Sequence, residues 1–86
     1  MFYTYIAFNS DNTIKSIGVT NNLKRRFKLL NLLVKKNKCK LVYYDEYFDS
    51  LLATKRENEL KELHEKLRAQ LIQENNPMLV DLLNTF

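Results

Sequence analysis

Two β-favouring segments at the start of the chain, separated by one turn cluster, restrict what the remaining residues can form. Residues 2–8 (FYTYIAF) and 14–19 (IKSIGV) contain the aromatic and β-branched side chains that strands favour. Residues 9–12 (NSDN) have the composition of a turn. Because two strands joined by a short turn pair with each other, we predict an amino-terminal antiparallel hairpin.

The alternation of side chains along a strand assigns the hairpin residues to faces. Tyr3 and Tyr5 are two residues apart and share one face of the first strand. The same rule predicts one shared face on the second strand for Ile14, Ser16 and Gly18. The chain contains one Gly and one Pro, so we expect few sharp turns and few long loops elsewhere.

An amphipathic helix is predicted directly after the hairpin. Residues 20–22 (TNN) are suited to capping a helix at its amino terminus. Apolar residues then recur at spacings of 4, 3 and 4, which is typical of one helical face: Leu23, Phe27, Leu30 and Val34. We predict that this helix ends near residues 36–37.

The second half of the chain predicts one more strand and two more helices. Residues 40–48 (KLVYYDEYF) favour a third strand, and Asp49-Ser50 can cap a long second helix that ends at residues 75–76. Asn76 and Pro77 are typical of the cap and first turn of a short terminal helix. The predicted apolar stripe of the long helix consists of Ala53, Leu60, Leu63, Leu67 and Leu71.

This element order predicts an α/β fold. A hairpin joined through a helix to a third strand forms a three-stranded sheet flanked by helices, in the order β-β-α-β-α-α. A chain of 86 residues has room for one modest core, so residues 1–86 are interpreted as a single domain.

Charge is distributed unevenly along the chain. Residues 12–44 contain nine basic side chains and no acidic one, whereas residues 45–86 contain five basic and nine acidic ones. A segment of one sign attracts a polyanion such as nucleic acid. A solvated surface with a chance bias is the competing interpretation, and charge alone leaves both open. The candidate nucleic-acid-binding residues are Lys24, Arg25, Lys28, Lys35 and Lys36.

Composition also excludes several classes of protein and site. One Cys and one His rule out an internal disulfide and a Cys/His zinc site within one chain. No apolar run approaches the roughly 20 residues of a membrane span, so no membrane partner is expected. The first residues lack the basic start and long apolar stretch of a secretory signal, which predicts a cytoplasmic protein.

Two charged residues border the apolar stripes of the predicted helices. Arg26 lies three residues after Leu23, and Glu57 lies three residues before Leu60. Charges so close to a buried face are costly unless they find a partner. A structural interpretation is an Arg26–Glu57 salt bridge, or snorkelling of each side chain to the rim. The functional interpretation is a phosphate-binding Arg26 beside a Glu57 that holds a hard divalent cation.

Several segments together resemble one family of nucleases. Tyr3-Thr4-Tyr5-Ile6 and Ser16-Ile17-Gly18 lie where GIY-YIG proteins carry their two name-giving motifs. SIGVTNNLKRRF resembles the family's passage from the second motif into the first helix. LVYYDEYFDSLLATKRENELK and IQENNPMLVDLL resemble the later parts of its small stand-alone members.

The resemblance implies metal-dependent hydrolysis of DNA phosphodiester bonds, with Mg²⁺ or Mn²⁺ as the cofactor. By this resemblance Tyr5 is the active-site tyrosine of the first motif, Arg26 the arginine that stabilises the phosphate, and Glu57 the metal ligand. Ser16 replaces the second-motif tyrosine and Leu30 replaces the histidine of many members. Since neither replacement can perform the same proton transfer, we expect reduced or altered activity. Tyr3, on the face of Tyr5, is a candidate substitute for the lost phenol.

Two other functions compete with a nuclease. The first is a nuclease-derived module that binds nucleic acid through the basic segment without cutting it. The second is an interaction protein, such as a homodimer, that uses the apolar surface of Leu29, Leu32 and Leu33. We favour the simpler expectation that the terminal helix covers these three leucines.

Overall fold

The structure is a computed structural model that describes residues 1–32 and 38–86. Its order confirms the predicted β-β-α-β-α-α arrangement of an α/β fold, with one short 3₁₀ helix added at the end. The strands are β1 (Phe2–Phe8), β2 (Ile14–Thr20) and β3 (Lys40–Tyr47). The helices are α1 (Leu23–Leu30), α2 (Ser50–Glu62), α3 (Glu65–Asn75) and the 3₁₀ helix (Leu82–Thr85).

The three strands form an antiparallel sheet with β1 in the centre, in the order β2-β1-β3. In the hairpin turn the Asp11 carboxylate accepts from the Thr13 hydroxyl at 2.6 Å, and this bond holds the pKa of Asp11 below its usual value. The predicted hairpin is present, and in its register Tyr5 pairs with Gly18. A bulge next to Ala7 shifts the register, so that Ile14 pairs with Phe8. The prediction that Ile14 shares a face with Ser16 and Gly18 is therefore wrong.

Side chains on the two faces of β1 belong to two separate core clusters. We call the face of Tyr3, Tyr5 and Ala7 the tyrosine face, and α1 packs on it through Leu23 and Phe27. The opposite face carries Thr4, Ile6 and Phe8, and α2 and α3 pack on it through Leu60 and Ile72. The sheet is thus covered by helices on both sides.

Helix α1 ends earlier than predicted. The Asn22 side chain accepts the amide of Arg25 at 3.0 Å and caps the start, as expected from the TNN run. Asn31 caps the end, and its side-chain oxygen accepts the amide of Cys39 at 2.7 Å. This bond ties the end of the helix to the start of β3, which explains why α1 stops at Leu30. The predicted end at residues 36–37, like Val34, lies outside the described residues.

The single long second helix of the prediction is two helices. The backbone of Leu63 is extended, and the His64 side chain caps α3 by accepting the amide of Lys66. Arg68 of α3 donates to the carbonyl of Leu63 at 2.8 Å, with longer bonds to the carbonyls of residues 60 and 61. The break changes which residues face the sheet, so Ile72 is buried while the predicted core residue Leu67 is exposed.

The carboxyl-terminal segment also differs from the prediction. Pro77 lies in a turn rather than in a helix. Asn76 is the C-cap of α3, and its buried side chain donates to the carbonyls of Val42 and Val80 instead of beginning a helix at Pro77. The 3₁₀ helix begins later, after Asp81, whose carboxylate accepts the amide of Leu41 on β3 at 3.0 Å.

The terminal segment leaves part of α1 uncovered. Leu29 and Leu32 are 56% and 70% exposed, so the expectation that the terminal helix covers them is wrong. Leu33 lies outside the described residues. Leu82 and Leu83 pack against the core of the tyrosine face instead. Within residues 1–32 and 38–86, no helix has the length and apolar character that crossing a bilayer requires.

Candidate functional site

The structure brings Tyr5 of β1 and Arg26 of α1 into direct contact. The Nε of Arg26 donates to the phenol oxygen of Tyr5 at 2.8 Å. Tyr5 is fully buried, and its ring packs edge-on against Phe27 at a centroid distance of 5.5 Å. Arg26 is exposed, and its two terminal nitrogens have no hydrogen-bond partner among the described residues. The pair therefore presents a fixed arginine fork that is suited to bind an anion.

Gly18 makes room for the Tyr5 phenol on the edge strand β2. A Cβ added at Gly18 would lie 2.8 Å from the Tyr5 hydroxyl oxygen and 3.0 Å from the ring carbon that carries it. The ring of Tyr5 thus extends over β2 at the one position without a side chain. The sequence placed Gly18 on this strand face, but its contact with Tyr5 depends on the pairing of the two strands.

The two replacements occupy the same face of the sheet. Ser16 pairs with Ala7 and is half-buried, two residues along β2 from Gly18. Leu30 is half-buried and packs against the core cluster that contains Tyr5, so it acts as a core residue. Neither side chain supplies a phenol or an imidazole beside the Tyr5–Arg26 pair.

Tyr3 lies on the tyrosine face, as predicted, but its ring belongs to a separate aromatic cluster. It packs edge-on against Tyr44 at 6.0 Å and against Phe86 at 5.8 Å. Tyr44 and Phe86 also contact each other at 5.2 Å. No hydrogen bond joins Tyr3 to Arg26 in the described part of the chain, so a role for Tyr3 as a substitute phenol stays a prediction.

Glu57 lies on α2, which packs on the opposite face of the sheet. Its side chain is 20% exposed, and Oε2 accepts from Lys61 at 3.1 Å. Neither an ion pair nor a hydrogen bond joins Glu57 to Arg26 or Tyr5 in the part of the chain that the structure describes. The alternative structural interpretation, a salt bridge between Arg26 and Glu57, is therefore wrong.

The orientation of α2 nevertheless directs Glu57 toward the strand that carries Gly18. Ala53 and Leu60 form the buried line of α2, and residues 56 and 57 flank that line on its two sides. Arg56 reaches β3 on one side, where it donates to Asp45 and Tyr43. Because β3 and β2 lie on opposite sides of β1, Glu57 faces β2, which α2 also contacts. Glu57 thus lies on the β2 side of the sheet, on the face opposite the Tyr5–Arg26 pair.

The hydrogen-bonded network of Tyr43, Asp45 and Arg56 was missed by the sequence reasoning. The Tyr43 hydroxyl donates to Asp45 at 2.6 Å and accepts from Arg56 at 3.0 Å, while Arg56 donates to Asp45 at 3.1 Å. Burial is the main cause of the raised pKa of Tyr43, and the hydrogen bond to Asp45 raises that pKa further. The hydrogen bond to Tyr43 raises the pKa of Arg56. Side chains alternate along a strand, so the sequence does place Tyr43 and Asp45 on one face of β3. That spacing is the sequence signal that could have indicated the network.

Part of the predicted basic surface lies within the described residues. Lys24, Arg25 and Lys28 are exposed on α1, and Lys38 is exposed before β3. Three of these lysines line an open groove of about 470 Å³ between α1 and the 3₁₀ helix: Lys24, Lys28 and Lys38. The predicted nucleic-acid-binding residues Lys35 and Lys36 lie outside the described residues.

The donor set at this edge of the sheet suits a metal ion held mainly by water and substrate. Among the described residues, no three His, Cys, Asp or Glu side chains cluster as a metal site. Glu57 supplies one half-buried carboxylate, of which Oε1 has no hydrogen bond within the described residues. Mg²⁺ is commonly held by one or two carboxylates, with water and phosphate oxygens completing its shell. Glu57 is therefore suited to bind an ion of this kind. The described residues do not supply a complete shell of protein ligands for it.

Comparison with known proteins identifies one family. The sequence model of the GIY-YIG catalytic domain matches residues 1–73. No curated protein and no solved structure matches the chain. The matched residues include both motifs of the hairpin, all of α1 and α2, and most of α3.

Proposed function

This chain belongs to the GIY-YIG family, and we propose on that basis that it is a divalent-metal-dependent endonuclease that hydrolyses phosphodiester bonds in DNA. The observation that carries the proposal is the 2.8 Å hydrogen bond from Arg26 to Tyr5, which holds an exposed guanidinium beside a buried phenol. This family acts on nucleic acid and is generally dependent on divalent metal ions.

Arg26 and Tyr5 have complementary roles in the proposed reaction. Water adds to phosphorus, one P–O bond breaks, and the leaving oxygen takes up a proton. The free terminal nitrogens of Arg26 bind the phosphate oxygens, on which negative charge develops. The Tyr5 oxygen accepts from Arg26, so the buried phenol holds the guanidinium in the position from which it binds the phosphate.

Glu57 is the proposed ligand of the metal ion, which is Mg²⁺ or Mn²⁺. When bound, the ion supplies charge neutralisation at the phosphate and lowers the pKa of a coordinated water. Glu57 must exchange its contact with Lys61 for the ion. Because Ser16 and Leu30 cannot replace a tyrosine and a histidine, we expect slower cleavage than the full set would support, by about 10²–10⁴ for each lost group.

The proposed DNA-binding surface is the basic segment: Lys24, Arg25, Lys28, Lys35 and Lys36. Three of these residues are exposed on α1, the helix that also carries Arg26. Phosphate contacts from such a surface predict that affinity falls steeply with salt. A salt titration of DNA binding that gave a flat response would contradict this part of the proposal.

The cleavage test uses matched variants on each helix. Supercoiled plasmid is incubated with the protein and either Mg²⁺ or Mn²⁺, and nicking is measured. We expect Glu57→Gln to abolish nicking and Arg26→Lys to reduce it by about 10²-fold, since lysine lacks the planar fork. Glu59→Gln is the matched control on α2 and should retain most of the activity. Equal nicking by wild type and Glu57→Gln would refute the assignment.

A binding module that does not cut is the second candidate, favoured by Ser16 and by the core position of Leu30. It predicts salt-dependent DNA binding with no nicking at any metal concentration. The exposed Leu29 and Leu32 favour the third alternative, a homodimer, which the oligomeric state in solution would test. A cytoplasmic location and one domain over residues 1–86 stay predictions.

A further inference from the structure

The Tyr43–Asp45–Arg56 network lies on the sheet face opposite the Tyr5–Arg26 pair, and the proposed chemistry does not use it. Its three hydrogen bonds, of 2.6, 3.0 and 3.1 Å, connect two residues of β3 on the face that α2 covers to one side chain of α2. All three partners are at least partly shielded from solvent. Such a closed set of charged and phenolic groups fixes geometry more than it adds stability.

A second contact holds α2 at the same turn. The buried Thr4 hydroxyl of β1 donates to the carbonyl of Ala53 at 2.7 Å. In an α-helix the carbonyl of residue 53 is also the acceptor for the amide of residue 57. Thr4 therefore binds the helical turn from which the Glu57 side chain projects.

The position of the Glu57 carboxylate depends on how α2 is rotated about its axis. Residues 56 and 57 flank the buried line of the helix, so a rotation that moves Arg56 moves Glu57 equally. For a side chain ending about 6 Å from the axis, a rotation of about 20° displaces the carboxylate by about 2 Å. A misplacement of about 1 Å can cost about 10²-fold in rate.

We propose that Thr4 and the Tyr43–Asp45–Arg56 network are positioning residues that set the rotation of α2, so that Glu57 reaches the metal ion at the edge of β2. The proposal rests on the proposed role of Glu57 as metal ligand. In this proposal, contacts from β1 and β3 orient a metal ligand that lies on the β2 side of the sheet. Neighbours that orient a metal ligand typically change metal affinity by about 10–100-fold when they are lost.

The test measures metal binding apart from catalysis. Mn²⁺ is titrated into the 86-residue protein without DNA, and the broadening of the residue 57 amide signal in NMR spectra yields the metal affinity. The variants are Thr4→Val, which removes only the hydroxyl, and Arg56→Lys, which keeps the charge but not the forked contact. Thr54→Val is the matched control, because among residues 1–32 and 38–86 the Thr54 hydroxyl bonds only to the carbonyl of Ser50, within α2.

We expect Thr4→Val and Arg56→Lys to weaken Mn²⁺ binding by about 10-fold and to raise the Mn²⁺ concentration for half-maximal nicking equally. Thr54→Val should match wild type in both. A role in stability alone would lower Tm without changing metal affinity measured well below Tm, and that outcome would overturn the proposal. If Thr4→Val does not fold, Arg56→Lys decides the question by the same criterion.

The same titration separates this proposal from the proposed function. If Glu57→Gln binds Mn²⁺ as wild type does, Glu57 is not the ligand and both proposals are overturned. If Glu57→Gln loses binding while Arg56→Lys and Thr4→Val retain it, the positioning role is overturned and the metal-ligand role stands.

Discussion

Substitution of Gly18 by alanine tests whether the Tyr5–Arg26 pair depends on the empty space over β2. The added Cβ would lie 2.8, 3.0 and 3.1 Å from three atoms at the far end of the Tyr5 side chain. Non-bonded carbon atoms prefer separations of about 3.5–4.0 Å, so the ring must move by about 0.5–1 Å. Tyr5 is fully buried and packed against Phe27, which leaves little room for that movement.

The size of the effect follows from the two interactions that the movement disturbs. Overpacking in a core costs about 1–3 kcal/mol. Stretching the 2.8 Å bond from Arg26 to Tyr5 forfeits about a further 0.5–1.5 kcal/mol. For a domain of this size, each kcal/mol lowers Tm by about 4–8 °C. We therefore expect Gly18→Ala to lower Tm by about 6–36 °C and to reduce nicking.

A double-mutant cycle with Tyr5→Phe isolates the contact at the hydroxyl. Tyr5→Phe removes the atom that is closest to the new Cβ and also the hydrogen bond that it would strain. Gly18→Ala should therefore cost about 1 kcal/mol less in the Tyr5→Phe background, measured by urea denaturation of the four proteins. Ser16→Ala, on the same strand face, is the control and should change stability by less than about 0.5 kcal/mol. Additive effects within about 0.3 kcal/mol would refute the reasoning.

Three further predictions concern the opposite face of the sheet. Arg68→Met removes the side chain that bonds three carbonyls at the end of α2. It should lower the unfolding free energy by about 1–3 kcal/mol, measured in thermal melts followed by circular dichroism. An unchanged melt would contradict the capping role of Arg68. Lys61→Gln removes the ammonium that contacts Glu57, and should lower the Mn²⁺ concentration for half-maximal nicking about twofold, whereas Lys55→Gln should not. The pKa of Tyr43 is raised in the folded state, so its stabilising effect is complete below the ordinary pKa of 10.0 and is lost as pH rises through the folded-state pKa. Tyr43→Phe should therefore make the unfolding free energy less dependent on pH above about 10. The same pH dependence in the variant and in wild type would contradict this prediction.

The site was predictable to the extent that it depends on local pattern. Arg26 and Glu57 were identified because each is a charge beside an apolar helical stripe, which spacing alone reveals. The Tyr5 partner of Arg26 was not, because that contact depends on which sheet face α1 covers. Glu57 contacts Lys61, four residues later on the same helix, which is a pairing that helical spacing allows.

The errors in the predicted elements have a common cause. The leucine spacing of residues 60–71 is compatible with one long helix or with two, and hydrogen bonds between distant residues decide between them. Arg68 stabilises the break at Leu63 by bonding carbonyls at the end of α2. In the same way Asn76 bonds Val42 on β3 rather than beginning a helix at Pro77.

Strand and helix order, the hairpin, the basic amino-terminal half and the family were all determined by the order of residues along the chain, because periodicity, turn composition and short motifs are local properties. The tertiary structure decided that α1 and α2 cover opposite faces, that Gly18 admits the Tyr5 ring, and that Arg56 binds Asp45 on β3. These features depend on strand register and helix rotation, which are set by packing between residues far apart in sequence.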